Sequence, residues 1–174
     1  MKKVISVAFL FILSACYQDD SDLAHAQFSQ YAKKAHEKGL ILEGRGGGMM
    51  TDIKELILSF ASAEHLRLDQ ARKLFVQTLD EFLHQVNIDE KIRSRLHNYP
   101  FTPQNISLSI AFRNQGERPP KEFIAYVHLS EGTVYYHHWD AERPDHDQFC
   151  DDYKESINDA IKIVMEQEHQ TLLK

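Results

Sequence analysis

ISLSIAFR (residues 106–113), FIAYVHL (residues 123–129) and TVYYHHW (residues 133–139) are the segments that decide the fold. Apolar residues fill every second position from Ile106 to Phe112, which predicts a strand with one buried and one polar face. The second segment is apolar at almost every position, as is typical of a central strand covered on both faces. Glu131 and Gly132 indicate a tight turn, so we expect the second and third segments to form an antiparallel hairpin.

Helical periodicity is strongest just before this region. In LDQARKLFVQTLDEFLHQV (residues 68–86), apolar side chains recur at three- and four-residue steps, which predicts an amphipathic helix with Asp69 as its N-cap. Pro144 and Asp145 predict the start of a second long helix, in which Asp145 and Gln148 resemble a capping box. Its expected buried stripe comprises Phe149, Tyr153, Ile157, Ile161, Val164 and Met165.

The segments before residue 68 are predicted with less regular patterns. We expect a helix from about Leu23 to Lys38 and a short strand over residues 40–42. The glycine-rich run 44–48 matches neither phosphate-binding nor dinucleotide-binding spacing, so it is interpreted as a mobile or twisted connection. Residues 53–60 fit a helical and a strand pattern alike. We favour the strand, because a clearer helix starts near residue 68 and residues 61–67 are best interpreted as the connection into it. The fold prediction is α+β, an antiparallel sheet of four or five strands with the helices from Asp69 and Asp145 covering one face.

MKKVISVAFLFILSAC (residues 1–16) has a basic start, a short apolar run and a small-residue ending. That is the pattern of a secretory signal peptide, and its apolar run of about ten residues is too short to span a bilayer. Leu13-Ser14-Ala15-Cys16 resembles the lipobox of bacterial lipoproteins. The resemblance implies cleavage before Cys16, lipidation of its thiol and anchoring in a membrane.

The same resemblance sets the expected organisation and location. Residues 1–15 are the cleaved signal, 16–22 the lipidated N-terminus and linker, and 23–174 a single α+β domain. Tyr17 after the cysteine, where an aspartate would favour inner-membrane retention, favours the outer membrane or the cell surface. The stretch 68–103 is also similar to parts of uncharacterised small bacterial lipoproteins, which transfers no activity and no site.

The net charge and the number of cysteines limit which functions and which covalent links are expected. Removing Lys2 and Lys3 with the signal changes the formal charge from −6 to −8, since 18 basic residues then face 26 acidic ones. An acidic chain without a basic stripe is not expected to bind nucleic acid. With Cys16 committed to lipid, Cys150 is alone, so no intrachain disulfide is expected.

Metal chemistry has one candidate set. His146 and Cys150 are four residues apart, which would place both on one face of the predicted last helix, with His138 or Asp140 as a third ligand. The alternative is that Cys150 is a small buried apolar residue near the helix stripe. No cofactor-binding or nucleophile motif is present, so no cofactor is expected.

Recognition has a different candidate set. Tyr135, His137 and Trp139 share one face of the predicted hairpin and would contact a partner if that face is uncovered. The leading hypothesis is an envelope lipoprotein acting as a binding or assembly module, with the membrane and an envelope protein as partners. A small metal-dependent hydrolase or metal-binding protein using His146 and Cys150, and a purely structural lipoprotein, are the alternatives.

Overall fold

A computed structural model describes residues 19–143 and 149–173. In chain order, the elements are α1 (Asp20–His36), β1 (Leu40–Met49), β2 (Ile53–Ser62), α2 (Leu68–Ile88), α3 (Glu90–Arg93), a 3-10 turn (Pro103–Asn105), β3 (Ile106–Phe112), β4 (Ile124–Ser130), β5 (Thr133–Trp139), β6 (Phe149–Ser156) and α4 (Ile157–Leu172).

The described strands form one six-stranded sheet in the order β1-β2-β3-β4-β5-β6. Neighbouring strands are antiparallel, except that β2 and β3 are parallel and are joined by the crossover helix α2. The predicted α+β class is confirmed. The prediction of four or five strands was too low, because β6 was predicted as part of the last helix.

Helices α1, α2 and α4 pack on one face of the sheet. The aromatic rings of Phe28 and Phe82 stack between α1 and α2, Tyr31 of α1 meets Phe60 of β2, and α4 contacts α2 and β5. The side chains of the covered sheet face are almost fully buried, among them Leu58, Phe60, Leu108, Ile110, Phe112, Val127, Val134 and Tyr136. The hydrophobic core therefore lies on this side, and the opposite face carries the polar half of each strand's alternation.

The predicted hairpin of β4 and β5 is confirmed. Glu131 and Gly132 both have positive φ, as a two-residue hairpin turn requires. The preference for a strand over residues 53–60 is also confirmed, since β2 spans Ile53–Ser62. Its register against β3 places Leu56, Leu58 and Phe60 on the helix side.

The glycine-rich run is a strand rather than a connection. β1 continues through Gly44 to Met49 and pairs with β2, with register shifts on either side of the run. A Cβ atom on Gly47 would collide with the carbonyl oxygen of Glu55, so the close approach of two backbones explains glycine there. The predicted mobile or twisted connection was wrong because the run is part of strand β1.

The last helix begins twelve residues later than predicted. Residues 149–156 form β6, and α4 starts at Ile157, capped by Ser156, whose hydroxyl accepts from the Asp159 N–H at 3.1 Å. The spacing of four between Phe149 and Tyr153 predicted one helix face, but both residues lie in β6, where a register shift places them on opposite sides. Since Tyr136 and Val134 of β5 are buried, β6 supplies the neighbour that β5 needs. The predicted capping pair, Asp145 and Gln148, lies outside the described residues.

Two further boundaries differ. Helix α1 begins at Asp20, inside the predicted linker, and Asp20 is held by Arg95 at 2.6 Å. Helix α2 begins one residue before the predicted N-cap Asp69, whose carboxylate instead accepts from Arg72 at 2.6 Å. No helix within the described ranges is long and apolar enough to cross a membrane.

Candidate functional site

The helix-free face of β4, β5 and β6 carries six aromatic or imidazole rings. We call this set the ring patch: Tyr126, His128, Tyr135, His137, Trp139 and Phe149. The strand register places Tyr126 opposite His137, His128 opposite Tyr135, and Trp139 opposite Phe149. All six side chains project to the same side because strand residues two apart share a face.

The rings of the patch contact one another closely. The rings of His128 and Tyr135 are 4.9 Å apart between centroids and 8° from parallel, and those of His128 and His137 are 5.1 Å apart and 7° from parallel. Phe149 meets Trp139 edge to face at 5.2 Å. His137 is only 8% exposed, and its burial comes from neighbouring rings.

A hydrogen bond joins the two histidines. Nε2 of His137 lies 3.1 Å from Nδ1 of His128. One of these nitrogens must carry a proton and the other must be free to accept it, so this contact requires at least one unprotonated imidazole. The pair thus forms a polar centre within an otherwise apolar cluster.

Cations flank the patch at both ends. Lys154 lies over the Tyr135 ring at 5.9 Å. At the other end, the Arg118 guanidinium lies 4.9 Å from the Phe149 centroid and 5.5 Å from that of Trp139. Burial and the charge of Arg113 lower the pKa of Arg118 from its ordinary value.

A surface cleft of about 790 Å³ adjoins the patch at Trp139 and Arg118. Its remaining walls come from the segments after β2, β3 and β5: His65, Asn114, Glu117, Pro119, Pro120, Lys121, Asp140, Ala141 and Glu142. Lys121 donates to Asp140 at 2.6 Å, and this hydrogen bond holds the pKa of the Asp140 carboxyl below its ordinary value. The cleft therefore contains charges of both signs.

The three predicted recognition residues lie close together on one face of the sheet. Tyr135, His137 and Trp139 lie on the helix-free face, while Val134 and Tyr136 between and beside them are buried against the helices. Their role in binding a partner stays a prediction.

The predicted metal residues do not form a helical pair. Cys150 lies on β6 opposite His138 of β5. Asp140 forms an ion pair with Lys121. His146 lies outside the described residues. Nη1 of Arg143 is 3.4 Å from the Cys150 sulfur. Among the described residues, no group of three or more histidine, cysteine, aspartate or glutamate side chains is arranged to hold a metal ion. The geometry assumed for this site, two ligands one helical turn apart, was wrong for Cys150.

The recognition set predicted from the sequence did not include Tyr126, His128, Phe149 and Arg118. Residues 123–129 were predicted to be covered on both faces because tyrosine and histidine interrupt the apolar run only weakly. The structure leaves Tyr126 and His128 partly exposed, while Val127 between them is buried. That alternation, and its match to the alternation in β5, was the available signal.

Comparisons with protein-family models, with curated proteins and with solved structures give no match for this chain.

Proposed function

We propose that this protein is a lipid-anchored envelope lipoprotein that binds a protein partner through the ring patch. The observation that carries the proposal is the six-ring cluster on the helix-free face of β4 to β6. The core is built on the opposite face, so these rings are not needed to fill the space between sheet and helices. Their role is better explained by recognition than by packing.

A protein partner suits the chemistry of the patch. Tyrosine, tryptophan and histidine offer apolar ring surface together with polar ring atoms, and aromatic residues are enriched in protein interfaces. Stacking of His128 between Tyr135 and His137 restrains all three rings before any partner arrives. A preordered surface loses less side-chain entropy on binding, which favours affinity.

We infer the orientation of the proposed anchor from the position of Asp20, the first residue of α1. Asp20 at the start of α1 is held by Arg95, whose carbonyl accepts from Ile53 N at the start of β2. The proposed lipid on Cys16 would thus lie at the end of the sheet where β2 begins. Three residues separate Cys16 from Asp20, so the tether spans at most about 14 Å. Trp139 and Phe149 lie at the opposite end of the strands and would face away from the membrane.

Photocrosslinking in intact cells of the source organism tests the partner. A benzophenone amino acid at position 135 is expected to give one discrete protein adduct. The matched control is position 107, which lies on the same sheet face two strands away and is also partly exposed. The adduct should be lost when His128→Glu is introduced. Equal adducts at both positions, or none at 135, would instead favour a purely structural lipoprotein.

The anchor has its own test. Cys16→Ser should abolish incorporation of a radioactive fatty acid, because only a thiol at that position forms the thioether link. Fractionation of the wild-type protein is expected to place it with the outer membrane or the cell surface. Label that persists in Cys16→Ser would remove the anchor from the proposal and leave the ring patch to be judged by crosslinking.

A further inference from the structure

Arg118 is a partly buried cation in the wall of this cleft, and its neighbour Glu43 forms an ion pair with Arg113 instead. Within the described part of the chain, its Nη1 is buried and has no hydrogen-bond partner. Its close neighbours are the rings of Phe149 and Trp139. The pKa of Arg118 is lowered, first by burial and then by the charge of Arg113, which itself pairs with Glu43. A partly buried guanidinium in this setting is stabilised when an anion approaches.

An anion could reach Arg118 from the adjoining cleft, and the acidic residues that line this cleft restrict which anions can bind there. Glu117 and Glu142 also line the cleft, and Asp140 is already neutralised by Lys121. With Asp140 and Lys121 paired, two further carboxylates beside one arginine disfavour a phosphate or another multiply charged anion. They favour a ligand that carries a positive group together with a single carboxylate.

We propose that this cleft binds a small zwitterion with a free carboxylate and a free ammonium group, the chemistry shared by amino acids and short peptides. Arg118 takes the carboxylate, for which its planar fork of donors is suited. Glu117 and Glu142 take the ammonium group, and Trp139, which also lines the cleft, provides apolar ring surface. This site is independent of the proposed lipid anchor and lies at the end of the sheet remote from it.

Calorimetric titration of the full-length protein in detergent with trialanine tests the proposal. Saturable binding is expected, and capping of the peptide's carboxylate as an amide should weaken it at least tenfold. Arg118→Gln should weaken trialanine binding to a similar extent and should no longer distinguish trialanine from its amide. Arg45→Gln, which alters an exposed arginine on β1, is the matched control and should change nothing. Titration with alanine then separates free amino acids from peptides as the source of the ligand.

A second variant keeps the test sound if Arg118→Gln disturbs the packing of Trp139. Glu117 and Glu142 are exposed, so replacing both with glutamine should leave the fold intact. This double variant is expected to weaken trialanine binding but not binding of N-acetyl-trialanine. The absence of saturable binding at millimolar peptide, or equal affinity for free and fully capped trialanine, would overturn the proposal.

Discussion

Tyr135 and Tyr136 are neighbours in β5, yet their surroundings differ completely. Tyr136 faces the helices, is fully buried, and its hydroxyl donates to Glu155 at 2.7 Å. Tyr135 faces away from the helices, stays partly exposed, and stacks on His128. The difference teaches that the two faces of one strand can serve separate purposes, stability on one side and, as we propose, recognition on the other.

The covered face includes a buried polar network as well as apolar packing. Nε of Arg72 donates to Oε1 of Glu155 at 2.7 Å, the oxygen that also accepts from Tyr136. The side chains of Arg72 and Glu155 are only 4% and 5% exposed. Burial alone would lower the pKa of Arg72, but the hydrogen bond and charge of Glu155 raise it above its ordinary value. Burial and the same carboxylate raise the pKa of Tyr136.

Arg72→Met should give the largest loss of stability. It leaves the Glu155 carboxylate buried without its cation, and breaking a buried pair in this way costs about 3–5 kcal/mol. Urea denaturation of residues 17–174 at neutral pH measures the free energy of unfolding. Arg45→Met, on the exposed edge strand, is the control and should stay within about 0.5 kcal/mol of the wild type. A loss below about 1 kcal/mol for Arg72→Met would show that the network does not stabilise the covered face.

Paired phenylalanine substitutions compare the two faces at neighbouring positions. Tyr136→Phe removes a buried hydrogen bond to a charged acceptor and should lower the free energy of unfolding by about 1.5–3 kcal/mol. Tyr135→Phe keeps the stacked ring and should change it by less than about 0.5 kcal/mol. The same denaturation experiment serves both variants. Equal losses of unfolding free energy at the two positions would contradict the proposed difference between the two faces of β5.

The exposed contact between His97 and Asp52 should have the smallest effect, with a definite pH dependence. His97 lies within hydrogen-bond distance of Asp52, and this contact holds the pKa of the Asp52 carboxyl below its ordinary value. A depressed pKa stabilises the fold above the carboxyl's unfolded pKa, and the contribution is lost as pH falls through the folded value. Asp52→Asn should therefore be slightly less stable than the wild type near pH 6. The difference should vanish on acidification below the ordinary range of an aspartate. A difference that persists in acid would assign the effect to something other than the charge of Asp52.

The covered face was largely predictable from the sequence. Apolar residues alternate from Ile106 to Phe112 and recur with helical periodicity after Leu68. Each pattern reflects the burial of one face of its element, so it can be detected in the sequence itself. Phe149 and Tyr153 were misread because their spacing of four fits helix and strand alike. A register shift after Tyr136 then places them on opposite sides of β6.

The candidate site was only partly predictable. Tyr135, His137 and Trp139 follow from alternation within one strand. Tyr126 and His128 lie beside them only because of the register between β4 and β5. Arg118 lies over Trp139 but belongs to a loop, and no local sequence pattern predicts the position of that loop. Contacts of this kind depend on tertiary structure, so a single sequence does not reveal them.

Oxidative footprinting tests most directly whether the ring patch is a binding surface. Hydroxyl-radical labelling rates of Tyr135 and His128 would be measured by mass spectrometry in intact envelopes and in the purified protein. Met165 on α4, which is 65% exposed and remote from the patch, serves as the internal reference. We expect labelling of the two rings to fall several-fold in envelopes while that of Met165 stays the same. Equal labelling of the rings in both preparations would contradict the proposal that a partner covers this face.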